Sequence, residues 1–361
     1  MLGFRRGCFE KVCVSSHGTI RGRVPRGLWK EQEQLETPVK RQLPPPGPSS
    51  TFLPPHTHTL DPSHTFWIVP FKKISPSFDS QTSQAFFPKR PIMEDLISRE
   101  PRDLGRALCI ITGASKGYGR ALAFQLSCRL KPRSVLVLVA RSTAQLNELK
   151  EDIVSLCGQN KLDVRCVQAD LEETEGVEKT VQALKETNST EMDHVLLINN
   201  AASLGDVSRF AQSFTDPAEV NRYLSLNVSG ALSLTAGVLQ AFPRRLGLRR
   251  TVVNISSLCA LKPFPSWVLY CTGKAARDMM FRVLAEEEPD VRVLSYAPGP
   301  LDTDMQLQAR RFSGDLNLRR SFCSMFSEHQ LLSCEESGSK LIKLLLDNNF
   351  PSGAHLDFYE L

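Results

Sequence analysis

The chain has 361 residues, of which 41% are hydrophobic and 23% charged, enough apolar material for a full globular core; it contains no run of 18 or more apolar residues, so no transmembrane helix is expected. Its net charge of +5 has to be located before it is read: residues 1–92 hold 13 Lys/Arg against 6 Asp/Glu, so the remainder is slightly acidic and gives no reason to expect nucleic acid or an anionic membrane as a partner. The ten cysteines form no CxxC pair and no Cys/His cluster of zinc spacing, so no metal is expected, and they read as small buried hydrophobes in a reducing, cytoplasmic setting.

Residues 1–92 carry 13 of the 23 prolines, including PPP at 44–46, and no sustained helical or strand period. Such a stretch cannot bury enough apolar surface to offset its chain entropy, and a disordered, Pro-rich basic extension is expected. Its opening 30 residues are Arg-rich with a single acid, Glu10, which fits either a transit peptide or an upstream extension of no catalytic consequence. A compact domain is expected over 93–361. Strands are predicted at 107–112, 134–140, 163–170, 193–200, 251–257, 291–299 and 353–359. Between the first six lie helices at about 117–130, 143–157, 173–187, 216–241 and 267–287. Continuous apolar strands alternating with helices imply a single doubly wound α/β domain of the Rossmann type, its seven-stranded, mainly parallel sheet covered on both faces. Ligands then bind beyond the carboxyl ends of the strands.

The first such end reads TGASKGYG, residues 112–119. Gly113 permits a tight turn, while Gly117 and Gly119 let backbone approach a pyrophosphate and let helix pack on strand; Ala114, Ser115, Lys116 and Tyr118 complete the loop. An NAD site usually places a carboxylate after the second strand, but here Arg141 and Ser142 stand there. With Lys116, Arg141 suits a 2′-phosphate, so NADP(H) is the expected cofactor. Asp170-Leu171 closes the third strand, where the carboxylate either meets an adenine amino group or caps the next helix. Asn199-Asn200-Ala201 closes the fourth, with amides at the rim where a cofactor ribose would lie.

Strand five ends in Ser256-Ser257, and WVLYCTGKAARD follows at 267–278. Tyr270 and Lys274 share one helix face. A nearby ammonium favours the phenolate, so Tyr270 is expected to exchange a proton with a developing alkoxide while Ser257 polarises the carbonyl. A lone YxxxK means little, because Tyr is often half-buried and Lys often snorkels. The ordered set of glycine turn, NNA, Ser-x12-Tyr-x3-Lys and Pro298-Gly299 is specific.

That set resembles the short-chain dehydrogenase/reductase family over about residues 105–361. The resemblance implies an NADPH-dependent oxidoreductase acting on C=O or CH–OH groups. It implies a fourth catalytic member, Asn227, holding a water that links Lys274 to solvent. Lys274 would also hold the nicotinamide ribose, and Leu301, Asp302, Thr303, Asp304, Met305 and Gln306 would lie along the cofactor. It implies a homodimer through the helices at 216–241 and 267–287. The family's NNAG is here NNAA, so the methyl of Ala202 must fit beside the ribose. Within the family the chain is similar to reductases of pterin side-chain carbonyls at the last stage of tetrahydrobiopterin synthesis. Asp357 in GAHLDFY then matches the carboxylate that anchors the pterin, and Leu258, Trp267, Gly299 and Met305 would line its pocket. Alternatives are a general carbonyl/diketone reductase and a catalytically silent NADP-sensing module.

Overall fold

The computed structural model describes residues 102–158, 162–187 and 191–361. The expected extension over 1–92 and the expected domain start at Met93 lie outside the described residues. Seven parallel strands form one sheet: β1 (Ala107–Thr112), β2 (Ser134–Ala140), β3 (Leu162–Gln168), β4 (His194–Asn199), β5 (Arg249–Ile255), β6 (Val291–Ala297) and β7 (Ala354–Asp357). Their order is β3-β2-β1-β4-β5-β6-β7, so the chain reverses direction across the sheet between β1 and β4. A crevice opens at such a switch point, beyond the strand ends.

Every residue of β1, β2 and β4 is buried, as continuous apolar runs require when both sheet faces are covered. Alternate residues serve the two sides. Cys109, Ile111, Leu136, Leu138, Leu196 and Ile198 pack toward α1 (Gly117–Ser127), α2 (Thr143–Cys157) and α9 (Cys334–Asp347). Leu108, Ile110, Val137, Val195 and Leu197 pack toward α3 (Thr174–Lys185), α5 (Gly230–Ala241) and α6 (Val268–Glu287). The edge strands differ: β3 has exposed residues at Asp163 and Gln168, and β7 is half-buried throughout.

The helix expected at 216–241 is α4 (Pro217–Leu224), a π-helical turn over Ser225–Ser229, and α5. The turn surrounds Asn227, whose amide donates to the Tyr223 carbonyl and accepts from the Ser203 N–H, each at 2.9 Å. After it, Gly230 comes so close to the sheet rim that a Cβ there would lie 2.2 Å from the Leu171 carbonyl oxygen. By length and composition Pro217–Ala241 qualifies as a candidate membrane span, a third of it buried. Here α5 lies on the sheet, its Thr235 hydroxyl bonded to Asn199 at 2.9 Å. The sequence reading left 304–347 without elements, and the structure supplies α7 (Asp304–Phe312), α8 (Leu316–Ser327) and α9. Of these α9 carries a readable signal: Ser333 caps it, accepting from the Glu336 N–H at 3.0 Å, ahead of buried Leu341, Ile342 and Leu345.

Candidate active site

The glycine loop joins β1 to α1. Gly113 and Gly117 adopt φ of +65° and +54°, where side chains are strained. Gly119 serves closeness instead: a Cβ there would sit 2.3 Å from the Gly113 carbonyl oxygen. No acid lies in the first turn of α1 and no side chain caps it, so its backbone N–H groups are left to a ligand. That is the donor set and clearance a pyrophosphate needs, and a dinucleotide fits it. Ala114 is buried and ties the loop to β2, its N–H donating to Val139 at 3.2 Å. Ser115 is half-buried, and Tyr118 turns inward to receive the Ser337 hydroxyl at 3.4 Å.

Lys116 reaches Asp304 at 2.7 Å, which brings the segment 301–306 onto the glycine loop, with Thr303 close over Gly117. Within that segment Leu301 bridges to Leu332 and Asp302 donates its N–H to the Leu332 carbonyl. Gln306 is buried and bonds the Phe322 carbonyl on α8, so its amide is turned away from the loop it was expected to face. Arg141 is exposed and lies 3.7 Å from Asp170. Ser142 caps α2, and Asp170 accepts from the Glu172 N–H in a turn rather than capping α3. Leu171 is buried in the core.

At the end of β4 the two asparagines divide. Asn199, expected at the cofactor rim, is 2% exposed and gives its amide to Thr235 on α5. Strand alternation explains this, since Val195 and Leu197 face the same side. Asn200 instead braces the glycine loop, donating to the Thr112 carbonyl at 2.9 Å and the Gly113 carbonyl at 3.3 Å. Ala202 stays out of the left-handed region, so a glycine is not required for its backbone.

Ser257, Tyr270 and Lys274 come together at the ends of β5 and α6. Lys274 donates to the Ile255 carbonyl at 2.6 Å and lies 5.5 Å from the Tyr270 ring centre. Ser257 is half-buried, its hydroxyl accepting from the Cys259 N–H at 3.2 Å. The electrostatics differ from expectation. Burial holds the Tyr270 phenol well above its ordinary range, Cys259 adds to this, and the Ser257 hydroxyl and the Arg277 guanidinium pull the other way. Burial, with Arg277 second, brings the Lys274 amine itself down to about 7.

Arg277 and its neighbours were not anticipated. The guanidinium is 1% exposed and donates to Asn254 Oδ1 at 2.8 Å, the Ala201 carbonyl at 3.1 Å and the Asn199 carbonyl at 2.5 Å. Asp278 accepts from Asn254 at 3.0 Å, from Ser256 at 2.5 Å and from His355 Nδ1 at 2.5 Å. The signal was spacing: Arg277 and Asp278 follow Tyr270 and Lys274 at helical intervals, which puts them on the same buried side of α6.

On the substrate side, Tyr270 gives its hydroxyl proton to Met305 Sδ at 3.8 Å. Trp267, expected as a wall for a flat ring, meets Tyr270 edge-on and stacks on Phe322 with ring centres 5.1 Å apart. Its indole N–H goes to Ser313 at 3.0 Å. Leu258 is exposed at the mouth. Gly299, φ +76°, faces Leu332, Phe358 and Tyr359. Asp357, at the end of β7, accepts from the Tyr359 N–H at 3.0 Å while Glu360 accepts from its own N–H. An open groove also lies elsewhere, between α3 and α5. Among the described residues no group of three or more His, Cys, Asp or Glu is placed to hold a metal ion.

The arrangement is that of a carbonyl-reducing centre, with a dinucleotide cradle at the switch point and a phenol, a hydroxyl and an amine converging beside it. The family model for short chain dehydrogenase matches residues 107–313. Sepiapterin reductase of Meriones unguiculatus is 52% identical over 264 residues, covering 72% of this chain and 99% of that protein. The sepiapterin reductase of Rattus norvegicus is 53% identical over 260 residues, covering 72% and 98%. Among solved structures, the KRED1-Pglu enzyme matches with a TM-score of 0.60 at 27% identity, over 69% of this chain and all of that one.

Proposed function

The chain belongs to the short-chain dehydrogenases, oxidoreductases of carbonyl and alcohol groups, and from that premise we propose that it is a sepiapterin reductase, reducing side-chain carbonyls of pterins with NADPH. The carrying observation is that the similarity to these reductases spans nearly their whole length, in a chain whose fold brings Ser257, Tyr270 and Lys274 to one place.

When bound, the nicotinamide supplies a hydride. The chain's own residues do the rest. Ser257 donates a hydrogen bond to the substrate oxygen and polarises it. Tyr270 gives its proton to that oxygen as negative charge develops, and takes one back in the reverse direction. Lys274, on the carbonyl of Ile255, is placed to bind the ribose and to return a proton to the phenol. Asn227 holds the π-helical turn and the 203 backbone in place, the framework on which the inferred water would sit.

NADPH rather than NADH is supported by Lys116 and Arg141 at the positions a 2′-phosphate would occupy, with Ser142 instead of an acid after Arg141. Asp357, beside Gly299 and the Tyr359 ring, is the proposed anchor for the pterin's amino and ring N–H groups; Oδ1 already serves a backbone N–H, so Oδ2 carries more of that contact. The exposed Leu232 on α5 and Met279 and Val283 on α6 support a homodimer through these helices. The described cysteines are all free thiols, which supports a reducing cytoplasmic location.

The test is NADPH consumption by the purified protein with sepiapterin against a panel of simple diketones, with Tyr270→Phe as control. Turnover of sepiapterin that is lost in the control supports the proposal. Brisk reduction of diketones without sepiapterin turnover leaves the second reading, a general carbonyl reductase. That reading is favoured by one observation, that Phe322 already stacks on the Trp267 face.

A further inference from the structure

Arg277 is a fully buried cation whose hydrogen bonds go to neutral oxygens, those of Asn254, Ala201 and Asn199. Its charge is therefore not spent on a contact carboxylate. Burial pulls the guanidinium down to about 10, still far above neutrality, so it remains a cation under working conditions. Tyr270, Lys274 and Arg277 stand at i, i+4 and i+7 along α6, on one face. Two turns separate the first and last Cα atoms by roughly 10 Å, and long helical side chains lean back toward the helix N-terminus, here toward Tyr270. The same guanidinium holds the two carbonyls that end β4, beside the glycine loop. Asn254, its third acceptor, is fixed in turn by Asp278 and Ser295.

We propose that Arg277 is a positioning residue of this centre: a permanent cation that braces the β4 rim and favours the phenolate left when Tyr270 gives up its proton. With burial bringing its amine down to about 7, Lys274 carries its charge only in part near neutrality, whereas Arg277 carries its charge throughout. Other groups face the same volume: Cys271, Lys274 and Asp278 on α6, Cys259 in the turn after β5, Tyr223 on α4 and His355 on β7. Arg277 and Asp278 are the fixed charges of this set, and Asp278 is turned into the hydrogen bonds of Ser256, Asn254 and His355.

The proposal rests on the reading of Tyr270 as proton donor, and not on the identity of the substrate. The full chain is compared with Arg277→Met and Arg277→Gln, reading kcat/KM against pH for reduction by NADPH and for the reverse oxidation with NADP+. Sepiapterin, and for the oxidation its reduced alcohol product, are used if the wild type turns it over; if it does not, the substrate assignment fails separately and a 1,2-diketone with its α-hydroxyketone serves the same profiles. Losing the cation makes the phenolate harder to form, so the rising limb of oxidation moves to higher pH. Arg277→Met should move it by about one pH unit, a roughly tenfold loss on that limb. Arg277→Gln, which keeps donors for the carbonyls but not the charge, should move it likewise. A folded Met variant with an unmoved limb overturns the proposal. So does a Gln variant whose limb stays at the wild-type pH, and that variant decides the matter alone if the Met variant does not fold.

Discussion

Replacing Lys274 by Met is expected to abolish turnover and yet make the ligand-free protein more stable at pH 7. The lysine is 4% exposed, and burial moves it from 10.5 down to about 7. In the unfolded chain it titrates near its ordinary value. Between about pH 7 and 10 the unfolded state thus binds a proton that the folded state lacks. Stability consequently rises with pH across that window and is lost as pH falls toward 7. At about 1.4 kcal/mol per pH unit, the displacement is worth on the order of 4 kcal/mol. Methionine forfeits the bond to the Ile255 carbonyl, about 1 kcal/mol. The variant should therefore exceed the wild type by a few kcal/mol at pH 7 and fall level with it or slightly below near pH 10. Urea denaturation of both proteins at several pH values between 7 and 10 measures this. The other titrating groups are common to both chains, so the difference isolates Lys274. If the two stability curves run parallel within 1 kcal/mol, the lysine is not desolvated as argued.

Three further outcomes are expected. Asp278→Leu strands the donors of Asn254, Ser256 and His355 in a buried place and should cost about 3–5 kcal/mol in urea denaturation, whereas Asp278→Asn keeps an acceptor for two of them and should cost clearly less. Arg141→Ala should weaken NADPH binding about 10–100-fold in a fluorescence titration, the worth of a charged hydrogen bond, with NADH binding unchanged; equal losses for both cofactors would remove its role at the 2′-phosphate. Asp357→Asn should raise KM for sepiapterin at least about tenfold while the Kd for NADPH holds, and an unchanged KM would leave the residue as a cap for the final turn.

The sheet was legible because burial on both faces leaves a local trace, the unbroken runs of β1, β2 and β4. Tyr270 and Lys274 were legible because helix spacing places them on one face. The π-helical turn was not, since the apolar pattern of 216–241 runs through it. What bends the chain there is tertiary, the close approach of Gly230 to Leu171 and the bonds of Asn227. α7 and α8 escaped because few buried residues anchor them: α8 buries none of its residues fully, and α7 only Gln306 and Ala309. Between Asn199 and Asn200 the choice needed the side of the sheet on which each helix lies, after which alternation decides it. The burial of Arg277 was legible only from its spacing after Tyr270; its acceptors, two backbone carbonyls and the Asn254 amide oxygen, carry no sequence signature of their own.

How α6 tolerates Tyr270, Lys274, Arg277 and Asp278 on its inner side follows from these charges. Arg277 and Asp278 are each engaged by hydrogen bonds to neutral neighbours rather than by a contact with each other. For Tyr270 and Lys274 burial acts in opposite directions, raising the phenol and lowering the amine, and both effects disfavour the charged form. Near neutrality the phenol is thus uncharged and the amine half so, which keeps the cost of burial low. If one proton passes from phenol to amine, an adjacent ion pair appears, and each member favours the other. Proton loss from Tyr270 is therefore costly in isolation and cheaper once Lys274 can accept the proton. Held near half charge, the amine is expected to return a proton to the phenol or to take one from it, according to the direction of the reaction.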